Sequence, residues 1–406
     1  MPLLLFYFDA THVYIRHAPS YQYFECALIL LLSLYIIYHK NEGRRFRGFG
    51  VIVFTFVAII VFPLMKGVTL DQTLRNFSYV YAAMILLPLS FSYYSKTGNL
   101  KKLLFSTFLM IVFYVLFVLY ATPQKLGGYA SERVAGHIFY FGHMAIRGGV
   151  TTIAFVLLMV PLVLASLRKH WQKIVLMIAV GFIFVFFLTI LKRFVFVVIG
   201  LGLLNYMLQS GLKRKYKIRI VLALLVLVYF IPSNSGVLEV VKDRYEERGG
   251  DRRFSMEAVQ SDLRIYEPIY VLQNVIKKPI EIILFGERSR VIYDLKHEDA
   301  IIKERKIHNT YAEMLSSIGF IGLLLYIFIY YKLYKFVHRI YKIVIKKSKQ
   351  WLPYWIAFQN MVLIFIVQGM VGGHSHVSLR GLVFLYSGAL GGVLYHAYNT
   401  TCRNSK

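Results

Sequence analysis

The stretch Leu103–Thr122, "LLFSTFLMIVFYVLFVLYAT", contains no charged residue. A helix of about 20 apolar residues is long enough to cross the hydrocarbon core of a bilayer. Ten further apolar runs of similar length lie at 21–39, 48–65, 76–95, 148–167, 174–191, 194–210, 220–236, 317–336, 352–371 and 382–398. The chain is 58% hydrophobic and 16% aromatic. We therefore predict an all-α polytopic membrane protein with about 11 spans, in a range of about 10 to 12.

The basic charge is distributed as expected for a multi-pass membrane protein. The hydrophilic segment Val237–Ser316 holds 14 Lys/Arg and 15 Asp/Glu, a net charge of −1, so the rest of the chain carries +28 of the total of +27. Most of those basic residues fall in short loops at 40–48, 96–102, 168–173, 211–219 and 338–350. This positive-inside pattern places the loops in the cytoplasm. It argues against a nucleic-acid partner, whose basic footprint normally clusters on one domain.

Hydropathy divides the chain into three predicted parts. Residues 1–236 form an N-terminal bundle of about eight spans, 237–316 an extracytoplasmic loop, and 317–406 a C-terminal bundle of about three spans. The N-terminal stretch lacks a basic n-region and an A-x-A-like site, so no cleaved signal peptide is predicted. The side of the N-terminus stays open, because residues 1–18 could form an additional span. Cys26 and Cys402 lie far apart and predict neither a disulfide framework nor a metal motif.

The long loop carries a helical pattern. In the segment 254–286, apolar residues such as Val259, Leu263 and Val271 recur at helical spacing. This predicts amphipathic helices lying on the membrane surface or on the bundle. Pro268 is expected to interrupt this helix or to begin its second half. Pro279 and Gly286 are expected to end the unit.

The stretch Glu304–Gly322, "ERKIHNTYAEMLSSIGFIG", joins this loop to the next apolar run. Thr310 and Glu313 have the spacing of a capping box, which predicts Thr310 as the N-cap. His308 and Asn309 would then lie just outside a helix N-terminus, which attracts phosphate and disfavours a protonated imidazole. The residues by themselves favour ordinary roles: Glu313 as a cap, Gly319 and Gly322 as packing positions, and His308 as an interfacial residue.

"HNTYAEMLSSIGFIG" resembles the His-Asn…Leu…Gly…Gly signature of the bacterial O-antigen ligase and O-antigen polymerase superfamily. "DLRIYEPIYVLQNVIKKPIEIILFGERS" resembles its arginine-led loop through Arg264, Pro279 and Gly286, with tyrosines where the family often has Trp. "LTILKRFVFVVIGLGLL" (188–204) is similar to its Thr…Ser-Arg stretch, with Lys192 in place of Ser. The motifs that carry the resemblance lie within residues 186–335.

The resemblance implies a membrane glycosyltransferase of the GT-C type in the bacterial inner membrane, with its active site facing the periplasm. It would move a glycan en bloc from undecaprenyl diphosphate to an acceptor hydroxyl, with inversion and without metal or other cofactor. The implied catalytic residues are His308, which would orient or deprotonate the acceptor, and Arg264 and Arg193, which would hold the diphosphate. The expected substrate-binding residues are Asn309, Lys192, Arg147, Arg133 and Arg380.

Each of these residues also has a simpler interpretation. Arg264 could pair locally with Asp262 or Glu267, and Arg193 could reach phospholipid headgroups. His137, His143, His374 and His376 match no standard metal-ligand spacing, so no metal site is predicted.

Three functions compete at this point. A polymerase would transfer the growing chain to another lipid-linked repeat unit, and a ligase would transfer the finished chain to lipid A-core. We favour the polymerase, because no acceptor-specific feature is visible. The third function is a flippase for a lipid-linked oligosaccharide, which would more often carry charges deep within its spans and related halves. The expected partners are the undecaprenyl-diphosphate-linked donor, a glycan or lipid A-core acceptor and membrane lipids. A chain-length regulator protein is a further candidate partner.

Overall fold

The structure is a computed structural model. It describes residues 82–121, 131–134, 137–140, 149–190, 193–209, 263–286, 292–297, 300–306, 309–371 and 377–403, with single positions at 31, 34, 50, 61, 64, 65 and 218. Side chains are described within 83–120, 152–187, 195–209, 267–286, 309–367, 369–370 and 381–401.

Helices make up most of the described chain, which confirms the helical class. They are α1 (Leu86–Thr97, preceded by the 3-10 turn Ala82–Ile85), α2 (Lys101–Ala121), α3 (Gly149–Leu157), α4 (Val160–Ser166), α5 (His170–Ile190), α6 (Arg193–Gln209), α7 (Leu263–Ile276), α8 (Ile280–Phe285), α9 (Thr310–Lys347), α10 (Leu352–Val371) and α11 (Val377–Arg403). Residues Lys349–Trp351 form a 3-10 turn before α10.

Two antiparallel hairpins, which the sequence pattern did not indicate, interrupt this helical chain. They pair β1 (Ser131–Val134) with β2 (His137–Tyr140), and β3 (Ile292–His297) with β4 (Ala300–Lys306). The second hairpin falls within the loop for which only amphipathic helices were predicted.

Four helices are long and apolar enough to cross a membrane within the described ranges. They contain the segments Lys101–Tyr120, His170–Phe187, Thr310–Lys347 and Lys349–Val367. A shorter apolar helix covers Val195–Gln209. These helices agree with a multi-pass membrane protein. The predicted runs 21–39, 48–65 and 220–236 lie, apart from single positions, outside the described residues, and the total of about 11 spans stays a prediction.

One predicted span is divided in two, and one predicted loop is largely helical. The run 148–167 is two helices, because Pro161 lies at the start of α4 and lacks the N–H that would continue the ladder. The turn between them is held by 3-10-type bonds from Leu158 N–H to the Phe155 carbonyl (3.0 Å) and from Met159 N–H to the Val156 carbonyl (2.9 Å). The segment 338–350, predicted as a short loop, is helical as far as Lys347.

The described residues belong to two compact units. One contains the described parts of 100–255 and 352–360, and the other contains those of 17–99, 256–351 and 361–406. This division follows contacts, whereas the predicted division at residues 236 and 316 follows hydropathy and stays a prediction.

In the first unit, an amide network fixes α6 to the first half of α10. The Asn205 amide donates to the Asn360 side-chain oxygen at 2.7 Å, and the Asn360 amide donates to the Gly202 carbonyl at 3.5 Å. The Gln209 amide donates to Asn205 and to Gln359. The Trp355 indole N–H donates to the Gln209 side-chain oxygen at 3.1 Å. Side-chain amides of this kind hold apolar helices together in a membrane.

In the second unit, α11 packs closely on α1. Gly388 and Gly392 allow this approach, because a Cβ at either position would clash with backbone atoms of α1, such as the carbonyls of Leu87 and Phe91. The α1 helix ends at Gly98, which has a positive φ of 60°. The His396 ring packs against Gly98, and its Nδ1 lies 3.1 Å from the Ser95 carbonyl oxygen. Because α9 packs on α11, this packing also fixes the helix that supports α9.

Candidate functional site

Two glycines from different motifs, Gly286 and Gly319, each lie against the backbone of the residues next to the other. The α8 helix ends at Gly286, with φ 80° and ψ 166°, and α9 bends at Gly319, with φ 66° and ψ −172°. Only glycine adopts this region of backbone space readily. A Cβ at Gly286 would clash with the Ser317 carbonyl, and a Cβ at Gly319 would clash with the Leu284 carbonyl. The end of the loop segment and the bend in α9 are therefore in direct backbone contact.

Gly319 was predicted as a packing position between helices, and its contact with Leu284 of α8 agrees with this; for Gly322 the same role stays a prediction. At Gly322 the neighbouring atoms belong to the Ile318 side chain, one turn earlier in the same helix.

The helix that carries Arg264 packs on the first turns of α9. Val271 and Val275 of α7 form one buried cluster with Ala312 and Leu315 of α9. Arg264, the second residue of α7, lies seven positions before Val271. A spacing of seven residues returns to the same helix face. The position of Arg264 is therefore on the face of α7 that meets the start of α9.

Pro268 neither interrupts nor divides α7, contrary to the prediction. A proline removes one N–H bond, to the carbonyl four residues earlier. Here that carbonyl belongs to Arg264 in the first turn, so a single intrahelical bond is lost and the helix continues. Pro279 is the N-cap of the short α8 helix, and Gly286 ends α8 as predicted.

The N-cap of α9 is Asn309, and the prediction of Thr310 was wrong. The Asn309 side-chain oxygen accepts a hydrogen bond from the Ala312 N–H at 3.0 Å. Its amide donates to the Met370 carbonyl at 2.8 Å. Both residue types can cap a helix, but only Asn has an amide that can also donate to a distant carbonyl while its oxygen caps. The start of α9 is thereby tied to the end of α10.

A second contact with α10 lies in the first turn of α9. The Tyr311 hydroxyl lies 3.2 Å from the Ile366 carbonyl and 3.4 Å from the Phe365 carbonyl. Gly369 makes room for the Tyr311 ring, because a Cβ there would come within 2.6 Å of it. Asn309 and Tyr311, which follow His308 closely in the chain, are thus both held against the end of α10.

Polar burial is concentrated at this helix start. Of the twelve buried polar or charged residues among the described side chains, five lie here: Glu267, Asn309, Thr310, Glu313 and Ser316. Asn309, Glu313 and Ser316 are spaced by four and three residues, so they line one face of α9. A buried ionisable side chain in an apolar helix is costly and defaults to a functional interpretation, which here applies to Glu313.

Glu267 was not proposed as a site residue from the sequence. It is only 2% exposed, and Glu313 is 6% exposed. Burying an ionised carboxylate costs free energy unless a cation or hydrogen-bond donors compensate it. Glu267 lies one turn before Val271, which contacts α9 through the buried cluster. That spacing is the signal from which its burial could have been inferred.

The structure describes the backbone, but not the side chains, of four predicted site residues. Arg264 lies on α7 and Arg380 on α11, both in the second unit, whereas Arg193 begins α6 and Arg133 lies on β1, both in the first unit. Of the predicted residues, the structure brings together the Arg264-bearing helix and Asn309. His308, Lys192 and Arg147 lie outside the described residues. Within the described ranges, no group of three His, Cys, Asp or Glu side chains could hold a metal ion.

No protein-family model matches this chain, and no curated protein matches it either. The functional interpretation therefore depends on the residues and their geometry.

Proposed function

We propose that this protein is a membrane glycosyltransferase that moves a glycan from undecaprenyl diphosphate to an acceptor hydroxyl, at the periplasmic face of the bacterial inner membrane. The observation that supports this most is the buried polar face at the start of α9, beside the face on which the Arg264-bearing helix packs. A helix N-terminus beside an arginine-bearing face suits a diphosphate, because the helix dipole and a guanidinium both favour phosphate oxygens.

The donor side of the reaction requires stabilisation of the leaving group. When the acceptor oxygen attacks the anomeric carbon, the bond from that carbon to the diphosphate oxygen breaks, and undecaprenyl diphosphate leaves with the electron pair. Arg264 would hold the diphosphate while negative charge develops on it, and Arg193 remains a predicted second cation. Attack from the opposite side inverts the anomeric configuration.

The acceptor side requires removal of one proton from the attacking hydroxyl. His308 would take this proton, since a helix N-terminus disfavours the imidazolium and keeps the imidazole able to accept. Asn309 would position His308, because its side chain ties the start of α9 to the Met370 carbonyl. Lys192, Arg147, Arg133 and Arg380 remain predicted contacts to the diphosphate or the glycan.

Polymerisation of a surface polysaccharide is the form of this activity that we propose. The test is a reconstitution of the purified chain in liposomes with an undecaprenyl-diphosphate-linked repeat unit and EDTA. We expect products of two or more repeats on the lipid, with one undecaprenyl diphosphate released for each bond formed.

Transfer only when lipid A-core is added would identify a ligase instead. Movement of the lipid-linked unit between leaflets without any new glycosidic bond would identify a flippase. Either result would overturn the polymerase, and the second would overturn the transferase as a class.

A further inference from the structure

One face of α9 changes from exposed apolar residues to exposed basic residues along its length. Ile321, Leu324, Phe328 and Tyr331 are all exposed, Leu324 to 61% and Tyr331 to 52%. The same face continues with exposed cations, which we call the basic stripe: Lys332, Lys335, Arg339, Lys342 and Lys346. Their spacing of three and four residues keeps all five on one side of the helix.

The opposite face of this half of α9 is fixed to the protein. Leu333, Val337, Ile340 and Val344 are buried. Phe336 lies 5.6 Å from Tyr395 of α11, measured between ring centroids. Lys347, which is not part of the stripe, donates to the Thr401 carbonyl at 3.4 Å. The basic stripe therefore keeps one orientation, away from α11.

The helix segment that carries the basic stripe contains no acidic residue of its own. The sequence from Phe320 to Lys347 contains no Asp or Glu. Two of its cations lie over aromatic rings of the apolar part: Lys332 Nζ is 4.8 Å from the Phe328 ring centroid, and Lys335 Nζ is 5.6 Å from that of Tyr331. Aromatic residues next to lysines are typical of the boundary between acyl chains and headgroups.

The length of the helix places the stripe at such a boundary. The part of α9 after its bend, Phe320–Lys347, is roughly 42 Å long at 1.5 Å per residue. The hydrocarbon core of a bilayer is only about 30 Å thick. An apolar face at one end and a basic face at the other match the acyl chain and the phosphate of one phospholipid molecule. An acidic protein or a nucleic acid would match the cations but not the exposed Ile321 and Leu324.

We propose that this face of α9 binds an anionic phospholipid, with its acyl chain along Leu324 and Phe328 and its phosphate at Lys335, Arg339 and Lys342. The positive-inside pattern assigns this end of α9 to the cytoplasmic leaflet. The proposal does not depend on the glycosyltransferase activity, because it uses no residue of the candidate site.

The test is a lipid titration of the purified full-length chain in a neutral detergent, read by native mass spectrometry. The wild type is titrated with phosphatidylglycerol and, separately, with phosphatidylcholine. The stripe variant carries Lys335→Gln, Arg339→Gln and Lys342→Gln. The control variant loses three exposed cations from short connections, through Lys102→Gln, Arg168→Gln and Lys169→Gln. A tag at the C-terminus reports whether each variant inserts in the same orientation.

We expect the Kd for phosphatidylglycerol to rise about fivefold for each charge removed, so on the order of a hundredfold in the stripe variant. The control variant should change by less than about threefold, since its three cations belong to two separate parts of the chain and form no continuous stripe along one helix. The three single substitutions, each expected to raise the Kd about fivefold, decide the matter if the triple variant does not fold. Equal losses in both triple variants, no loss in the stripe variant or the single variants, or equally tight binding of phosphatidylcholine would overturn the proposal.

Discussion

Replacing His308 by Ala should lower the rate of glycan transfer by at least about a hundredfold, the usual contribution of a general base. The variant would keep Asn309, and with it the cap of α9 and the bond to the Met370 carbonyl. It would lose only the imidazole, which we propose accepts the proton of the acceptor hydroxyl. The measurement is the initial rate of polymer formation in membranes, divided by the amount of inserted protein.

His170 provides a matched control for this variant. It too lies at the start of a long apolar helix, as the first residue of α5, and its side chain is exposed. His170→Ala should transfer glycan at the wild-type rate. Equal rates for His308→Ala and the wild type would remove the histidine from the mechanism, and an equal loss in both variants would indicate a general effect on the membrane helices.

Replacing Gly319 by Ala should destabilise the protein by about 3 kcal/mol or more. The substitution adds the cost of a backbone conformation that only glycine adopts readily, about 1–3 kcal/mol, to a clash with the Leu284 carbonyl that flexible side chains cannot relieve. Gly286→Ala should have a similar effect, because its Cβ would meet the Ser317 carbonyl. The measurement is the fraction of detergent-solubilised protein that stays monodisperse after heating.

Gly181 and Gly200 are the controls for these two substitutions. Both lie inside apolar helices, and a Cβ at either would meet nothing within 4 Å. Alanine there should be neutral or slightly stabilising, because it has the higher helix propensity. Unchanged heat resistance of both Gly286→Ala and Gly319→Ala would contradict the backbone contact between α8 and α9.

The positions of the helices could be predicted from the sequence, because long apolar runs leave few alternatives in a membrane. Their interruptions were harder to predict. Pro161 lies at a helix boundary, whereas Pro268 lies inside a helix, and the two prolines look alike in a hydropathy pattern. Whether a proline ends a helix depends on where its missing N–H falls in the helical turn. The hydropathy pattern does not show that position.

The candidate site was predictable in its residue types but not in its contacts. Asn309 and Thr310 are both good N-cap residues, and the choice between them depends on the Met370 carbonyl, 61 positions away in the chain. Gly286 and Gly319 were recognisable as motif or packing positions, yet their mutual contact is a tertiary feature. In the sequence, only the spacing of Glu267 from Val271 indicates that Glu267 is buried. The burial itself results from the packing of α7 on α9.

The central claim, that the lipid-linked donor binds where α7 meets the start of α9, is tested most directly by photocrosslinking. An undecaprenyl-diphosphate donor with a diazirine on its first sugar would be bound to the purified chain, irradiated and mapped by peptide sequencing. We predict labelling within 263–276 or 309–318, suppressed by unlabelled donor and weakened by Arg264→Ala. Labelling confined to other segments, or labelling that unlabelled donor does not suppress, would contradict the account.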